Sequence, residues 1–154
     1  MKNSKAGITL VELMIAIGIL TFVIVSMIQL YIYTSVQAEL AGNKTLAVSE
    51  AQSKIEEMRN HNYDLIAEDY GDGGTPGNTF DLSYLNGKGL ISIDSTDPEL
   101  LVLQVSIFWR DKYDRIVGED LNLNGALDED EGEDANENDR LDAVVELISM
   151  ITRR

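Results

Sequence analysis

Between Gly118 and Asp142 the chain carries 11 acidic residues and one basic residue, Arg140, and their order matters more than their number. The stretch GEDLNLNGALD, residues 118–128, returns fourteen residues later as GEDANENDRLD, residues 132–142. In the first copy Asp120, Asn122 and Asn124 place side-chain oxygens at alternate positions, Gly125 offers a sharp turn, the Ala126 carbonyl follows, and Asp128 and Glu131 come after it. A hard divalent cation takes six to eight oxygen ligands, and a loop wound around it turns alternate side chains inward. Cation binding is therefore the chemistry this spacing points to. Calcium is favoured over magnesium, which keeps its waters and recruits fewer protein ligands.

The first copy resembles an EF-hand calcium loop. On that resemblance Asp120, Asn122, Asn124, Ala126, Asp128 and Glu131 fall at positions 1, 3, 5, 7, 9 and 12. Glu133 stands in reserve for Glu131 if the loop runs on differently, and Leu127 at position 8 is expected to pack back on the domain. The second copy keeps Asp134, Asn136, Asn138 and Asp142 at ligand spacing, but Asp139 replaces the turn glycine and Val145 stands where the closing glutamate belongs. It reads as half a site, or as one completed by carboxylates of the first copy. The competing reading of the whole insert is a solvated acidic loop.

A second carboxylate stands out of place. From Ile8 to Tyr33 there are 26 residues whose only formal charge is Glu12. A helix of that length rises about 39 Å, enough to cross a hydrocarbon core of about 30 Å. Lys2 and Lys5 precede it and the next charge is Glu39, so the positive-inside rule leaves residues 1–7 in the cytoplasm and the remainder outside. A cleavable secretory signal has a shorter apolar core, followed by its cleavage site. A carboxylate in the bilayer costs on the order of 3 kcal/mol unless something pairs with it, and cutting between Gly7 and Ile8 would create such a partner, a new α-amino group, on a neighbouring copy.

The stretch KAGITLVELMIAIGIL, residues 5–20, resembles the leader and cleavage motif of the type IV pilin superfamily, in which glycine precedes the cut and glutamate is the fifth residue after it. The resemblance implies that a prepilin peptidase of the inner membrane cuts after Gly7, methylates Ile8, and leaves Glu12 to serve assembly with other pilin or pseudopilin subunits. Ile8 departs from the family's usual phenylalanine but keeps an apolar residue there. Removing the leader takes away Lys2 and Lys5, leaving 10 basic against 27 acidic residues, a formal charge of −17 in place of −15. Assembly must then be driven by the apolar helices and the Glu12 ion pair against repulsion between heads.

Behind the span, Val36, Leu40, Ala47, Ala51, Ile55 and Met58 form one apolar stripe, which predicts an amphipathic helix over 34–60 with Gly42 as its weakest point. The Gly- and Asp-rich stretch 68–78 reads as a loop, and it lacks the lysine and the strand-to-helix setting of a phosphate-binding loop. Residues 79–85 and 90–94 flank NGKG as a hairpin. Leu101, Leu103, Val105, Ile107 and Trp109 alternate on one strand that ends in the turn 110–115. Residues 143–154 are expected to close the sheet, with an ambiguous inward face because Ser149 interrupts one alternate set and Glu146 the other.

The expected fold is α+β, a long N-terminal helix on a small antiparallel sheet. It divides into a leader 1–7, a membrane and polymerisation helix 8–33, an amphipathic helix 34–60, and a head 61–154 holding the insert 118–142. The long helix and the few strands are similar to minor pilins and to minor pseudopilins of type II secretion. This implies a single-pass inner-membrane precursor with its C-terminus outside, later part of a periplasmic or extracellular filament. Strong acidity argues against a nucleic-acid partner, and cysteine is absent, so neither disulfides nor thiolate chemistry enter. No nucleophile paired with a base is evident, and an enzyme is not expected; His61, the only histidine, sits where it would meet a helix end. Two other classes stay open: a calcium-dependent adhesin displayed on a filament, and a signal-anchored surface protein that never polymerises.

Overall fold

The computed structural model describes residues 9–153. The fold is α+β, a long helix and a small antiparallel sheet. Helix α1 spans Leu10–Arg59 and a short helix α2 Tyr63–Asp69. The strands are β1 Thr79–Asp81, β2 Gly87–Asp97, β3 Leu100–Arg110, β4 Ile116–Val117 and β5 Val145–Thr152. The chain divides into two compact units, one ending at Ala41 and the other running from Gly42 to Arg154; Gly42 itself is helical.

In the first unit every residue from Leu10 to Ser35 is exposed, and the helix is long and apolar enough to cross a membrane. Three of its hydroxyls are satisfied locally, Thr21 donating to the Ile17 carbonyl, Ser26 to Phe22 and Thr34 to Tyr31. No hydroxyl of these three need seek water, which is what a lipid-facing helix requires. Thr9 precedes the first helical residue, and its Oγ1 accepts the Glu12 amide at 3.3 Å. Threonine with glutamate three positions on is the capping-box pattern, and the first turn favours a negative side chain.

In the second unit α1 buries Ala47, Ala51, Ile55 and Met58, four of the six residues of the expected stripe; Val36 and Leu40 are half-buried. The four buried residues join Leu101, Leu103, Val105, Ile107 and Trp109 of β3 in one core, with Ile66 and Tyr70 from α2 and its C-cap. The central strand β3 pairs with β2 on one edge and with β4 and β5 on the other, all antiparallel. Ser149 settles the ambiguity of the last strand. Val145, Leu147, Ser149 and Ile151 share the core-facing alternate set, and the Ser149 hydroxyl accepts Arg59 Nη2 at 2.8 Å, so a polar residue faces inward with its hydrogen bond made.

Two local expectations change. NGKG is not the hairpin connection: Gly87 and Gly89 lie inside β2, which pairs with β1 as Thr79↔Leu90 and Asp81↔Lys88, and the link is Leu82–Asn86. The reason is space. A Cβ on Gly87 would fall 2.1 Å from the Phe108 carbonyl oxygen, and one on Gly89 2.1 Å from the Phe80 ring, so the glycines permit close strand packing. The start of the stretch read as loop is helical to Asp69, with Asn62 Oδ1 capping α2 through the Asp64 amide. A further hairpin turns at Pro98 and Glu99, with Asp97 opposite Leu100.

His61 follows the end of α1, and its Nε2 lies 2.6 Å from Asp69 Oδ2 with its ring edge-on to Tyr70. Burial, with the hydrogen bond to the Glu57 carboxylate, pushes the Tyr70 hydroxyl up to about 12. These contacts tie α2 to α1. In the turn after β3, Asp111 Oδ1 accepts the amides of Tyr113 and Arg115, and Oδ2 accepts the Arg115 guanidinium.

Candidate functional site

Gly118 leaves β4 and begins the insert. Asp120 is fully buried, its two oxygens accepting the amides of Asn124 at 3.0 Å and Gly125 at 2.9 Å. Asn122 Oδ1 accepts the Asn124 amide and Asn124 Oδ1 the Ala126 amide. The amides of Asn122 and Asn124 both donate Nδ2 to Asp128 Oδ2, at 2.9 and 2.6 Å. Asp120, Asn122, Asn124 and Asp128 are thereby drawn together, with Gly125 at φ +79° making the turn.

Glu131 and Glu133 divide the closing role unequally. Glu133 is 1% exposed, and its carboxylate accepts the amides of Leu121 at 2.7 Å, Asn122 at 3.3 Å and Asp128 at 3.0 Å. Glu131 is exposed and accepts only Asn122 Nδ2 at 3.1 Å. One oxygen from each of Asp128, Glu131 and Glu133 lies within 4.8 Å of the others. The inward carboxylate is Glu133.

The second copy repeats the first in detail. Asp134 accepts the amides of Asn138 and Asp139, as Asp120 accepts those of Asn124 and Gly125. Asn136 and Asn138 donate to Asp142 Oδ2 at 2.6 and 3.0 Å, and Asn138 Oδ1 accepts the Arg140 amide. The left-handed residues also recur at an offset of fourteen, Leu123 and Gly125 against Glu137 and Asp139. Aspartate tolerates that conformation better than most side chains. Its closing carboxylate is Glu119, whose Oε2 accepts the Asp142 amide at 3.0 Å while its own amide donates to the Asp142 carbonyl at 3.0 Å. Each loop is thus closed by the glutamate that opens the other copy. Glu119 lies outside the twelve-residue span of an EF-hand loop, yet the repeat points to it, because it is Glu133 moved back by fourteen.

Carboxylates, backbone amides and the side-chain amides of Asn122 and Asn124 meet there, with both Nδ2 groups turned on Asp128, and no ion pair between described residues reaches Asp120, Asp128, Glu131 or Glu133. Burial raises the Asp120 carboxyl above its usual range and the Glu133 charge adds to this, against the Gly125 and Asn124 amides. Buried carboxylates lacking a cation are costly. The donor set fits a hard cation.

At the other end of the chain, Gly7 and Ile8 lie outside the described residues, and Glu12 is in the exposed first turn of α1. The apolar helix and the fixed offset of Glu12 are what a pilin-type signal requires. Residues 2–28 match the prokaryotic N-terminal methylation motif. This is a type IV pilin-like signal, which implies processing by a prepilin peptidase and assembly with other pilins, and with the long apolar helix it fits an inner-membrane anchor. The match takes in Gly7, Ile8, Glu12 and the apolar helix as far as Ile28. No curated protein and no solved structure matches the chain.

Proposed function

We propose that this protein is a structural subunit, a minor pilin or pseudopilin, of a type IV pilus or a type II secretion filament, and not an enzyme. A peptidase cuts after Gly7 and methylates Ile8. The C-terminal unit lies outside the inner membrane, and the mature chain polymerises through its N-terminal helix. The observation that carries this reading is the helix from Leu10 to Ser35, exposed throughout with Glu12 as its one charge, whose first part belongs to a methylation motif. Such a surface is at rest only in lipid or against like helices.

Glu12 has a bland alternative, since a carboxylate in the first turn also serves the capping box of Thr9. Glutamine fills that role equally well but cannot pair with an α-ammonium group. Glu12→Gln is therefore expected to leave membrane insertion and helix content unchanged and to remove the subunit from sheared filaments. Normal incorporation of Glu12→Gln contradicts the assembly role.

The insert is proposed to bind calcium, stapling β4 to β5 in a fold without disulfides. In the first loop Asp120, Asn122, Asn124, the Ala126 carbonyl and Asp128 would hold the ion, closed by Glu133 with Glu131 beside it. The repeated geometry supports a second ion held by Asp134, Asn136, Asn138 and Asp142 with Glu119.

A further inference from the structure

The face of the sheet turned away from α1 carries a buried aromatic residue. Phe108 belongs to the alternate set of β3 opposite Trp109, is fully buried, and stands outside the main core. The insert begins against it, at Gly118, and continues over the same face. A Cβ added to Gly118 would fall 2.5 Å from the Phe108 ring, and one on Gly125 2.5 Å from Thr79 Cγ2, so insert backbone is laid directly on strand side chains. Leu127 and Leu141, the eighth residues of the two loops, line with Leu90, Ser92, Gln104 and Ser106 a cavity of about 220 Å³, and Leu141 and Ser106 are buried.

Two opposed forces act on this cover. The contacts of Gly118, Leu127 and Leu141 hold it down. Its 11 carboxylates, with Arg140 as the one basic residue, repel one another, and Asp120 and Glu133 sit inside it without a cationic partner among the described residues. A bound divalent ion tips that balance by neutralising charge where it is buried. The helix–sheet core has no such dependence, since Ala47, Met58, Leu103, Ile107 and Trp109 pack on the other face.

We infer that residues 118–142 form a calcium-gated cover: loaded with the ion it clamps the outer face of the sheet, and stripped of it the segment lifts as a unit, uncovering Phe108 while the core stays folded. The inference rests on the calcium reading above. The head then offers an apolar face only where calcium is scarce.

The test uses the full chain in detergent micelles. Calorimetry establishes whether calcium binds, and hydrogen exchange is followed with saturating calcium and with chelator. The gated cover predicts that the Leu121, Asn122, Asp128 and Asp142 amides exchange at least about tenfold faster in chelator, with paired β3 amides from Leu103 to Ile107 unchanged and a rise in fluorescence of an added apolar dye. Glu133→Gln should exchange at the fast rate in the first loop even with calcium. Calcium binding with equal exchange in the insert overturns the gate and leaves the calcium reading standing. Loss of β3 protection together with the insert also overturns it, because the cover is then not a separate unit. Absence of heat on titration overturns the calcium reading and the gate together.

Discussion

Withdrawing calcium should lower the melting point of the head by an amount that can be worked out beforehand. At ten times its dissociation constant one bound ion stabilises the folded state by about 1.4 kcal/mol, and extracellular calcium modules bind at about 0.1–1 mM. The unit Gly42–Arg154 has 113 residues, and unfolding entropy near 2.1 cal/mol/K per residue converts that figure into about 6 °C. Two ions, one in each loop, give about 12 °C. Trp109, the only tryptophan, is wholly buried on the core side of β3, so its fluorescence follows the unfolding of the sheet without interference from the membrane helix. The geometry also ranks two carboxylates. Glu133→Gln removes the charge that accepts three backbone amides, and should abolish most of the calcium shift of the first loop while costing about 1–3 kcal/mol by itself. Glu131→Gln should leave most of the shift in place. Equal melting points in millimolar calcium and in chelator would refute the staple, and a larger loss of the calcium shift from Glu131→Gln than from Glu133→Gln would refute the assignment of the inward carboxylate.

Two further outcomes follow from the head. Gly87→Ala places a methyl 2.1 Å from the Phe108 carbonyl oxygen, and should destabilise the unit by about 1–3 kcal/mol in a fluorescence melt, whereas a wild-type melting point would mean that β2 and β3 are not so closely apposed. Asp111 is held below the ordinary carboxylate range, chiefly by the Arg115 amide, with help from its guanidinium and the Tyr113 amide. A folded pKa below the unfolded one means that this residue adds stability above about pH 4, and that the contribution is lost as pH falls through the lower folded value. Asp111→Asn should therefore melt below wild type near neutral pH and converge with it in strong acid; a gap that persists in acid contradicts the assignment.

Much of the fold was legible because two periodicities carry it. The spacing of Ala47, Ala51, Ile55 and Met58 defines one helix face, and the alternation from Leu101 to Trp109 defines the core side of the central strand. The errors fall where glycine has two meanings. In NGKG the residues Gly87 and Gly89 look like turn formers, but their role is to let β3 and the Phe80 ring approach, which depends on partners more than eight residues away. Helix α2 is short, and its cap, Asn62, follows the end of α1 at Arg59 by only three residues. Ser149 could not be assigned to a face from its own strand, since its partner is Arg59, ninety positions earlier.

In the insert the repeat was visible but its closure was not. A template that fixes the closing glutamate at position 12 selects Glu131, while the chain turns inward at Glu133. The same offset puts Val145 in the second loop, where Glu119 stands instead. Reading the two copies against each other, and not each against an external template, would have paired Glu119 with Asp142 as Glu133 is paired with Asp128. Glu12 is the converse case, since its apolar surroundings made it stand out in the sequence, whereas the capping role of Thr9 emerged only with the start of α1.

Assembly through Glu12 requires a new terminus on a neighbouring copy, and intact-mass and N-terminal peptide mass spectrometry of the protein purified from its host membrane measures directly whether one is created. The predicted result is a chain that begins at Ile8 with a methylated α-amino group. A chain that still carries residues 1–7 would contradict the account, because Glu12 would then have no partner to meet.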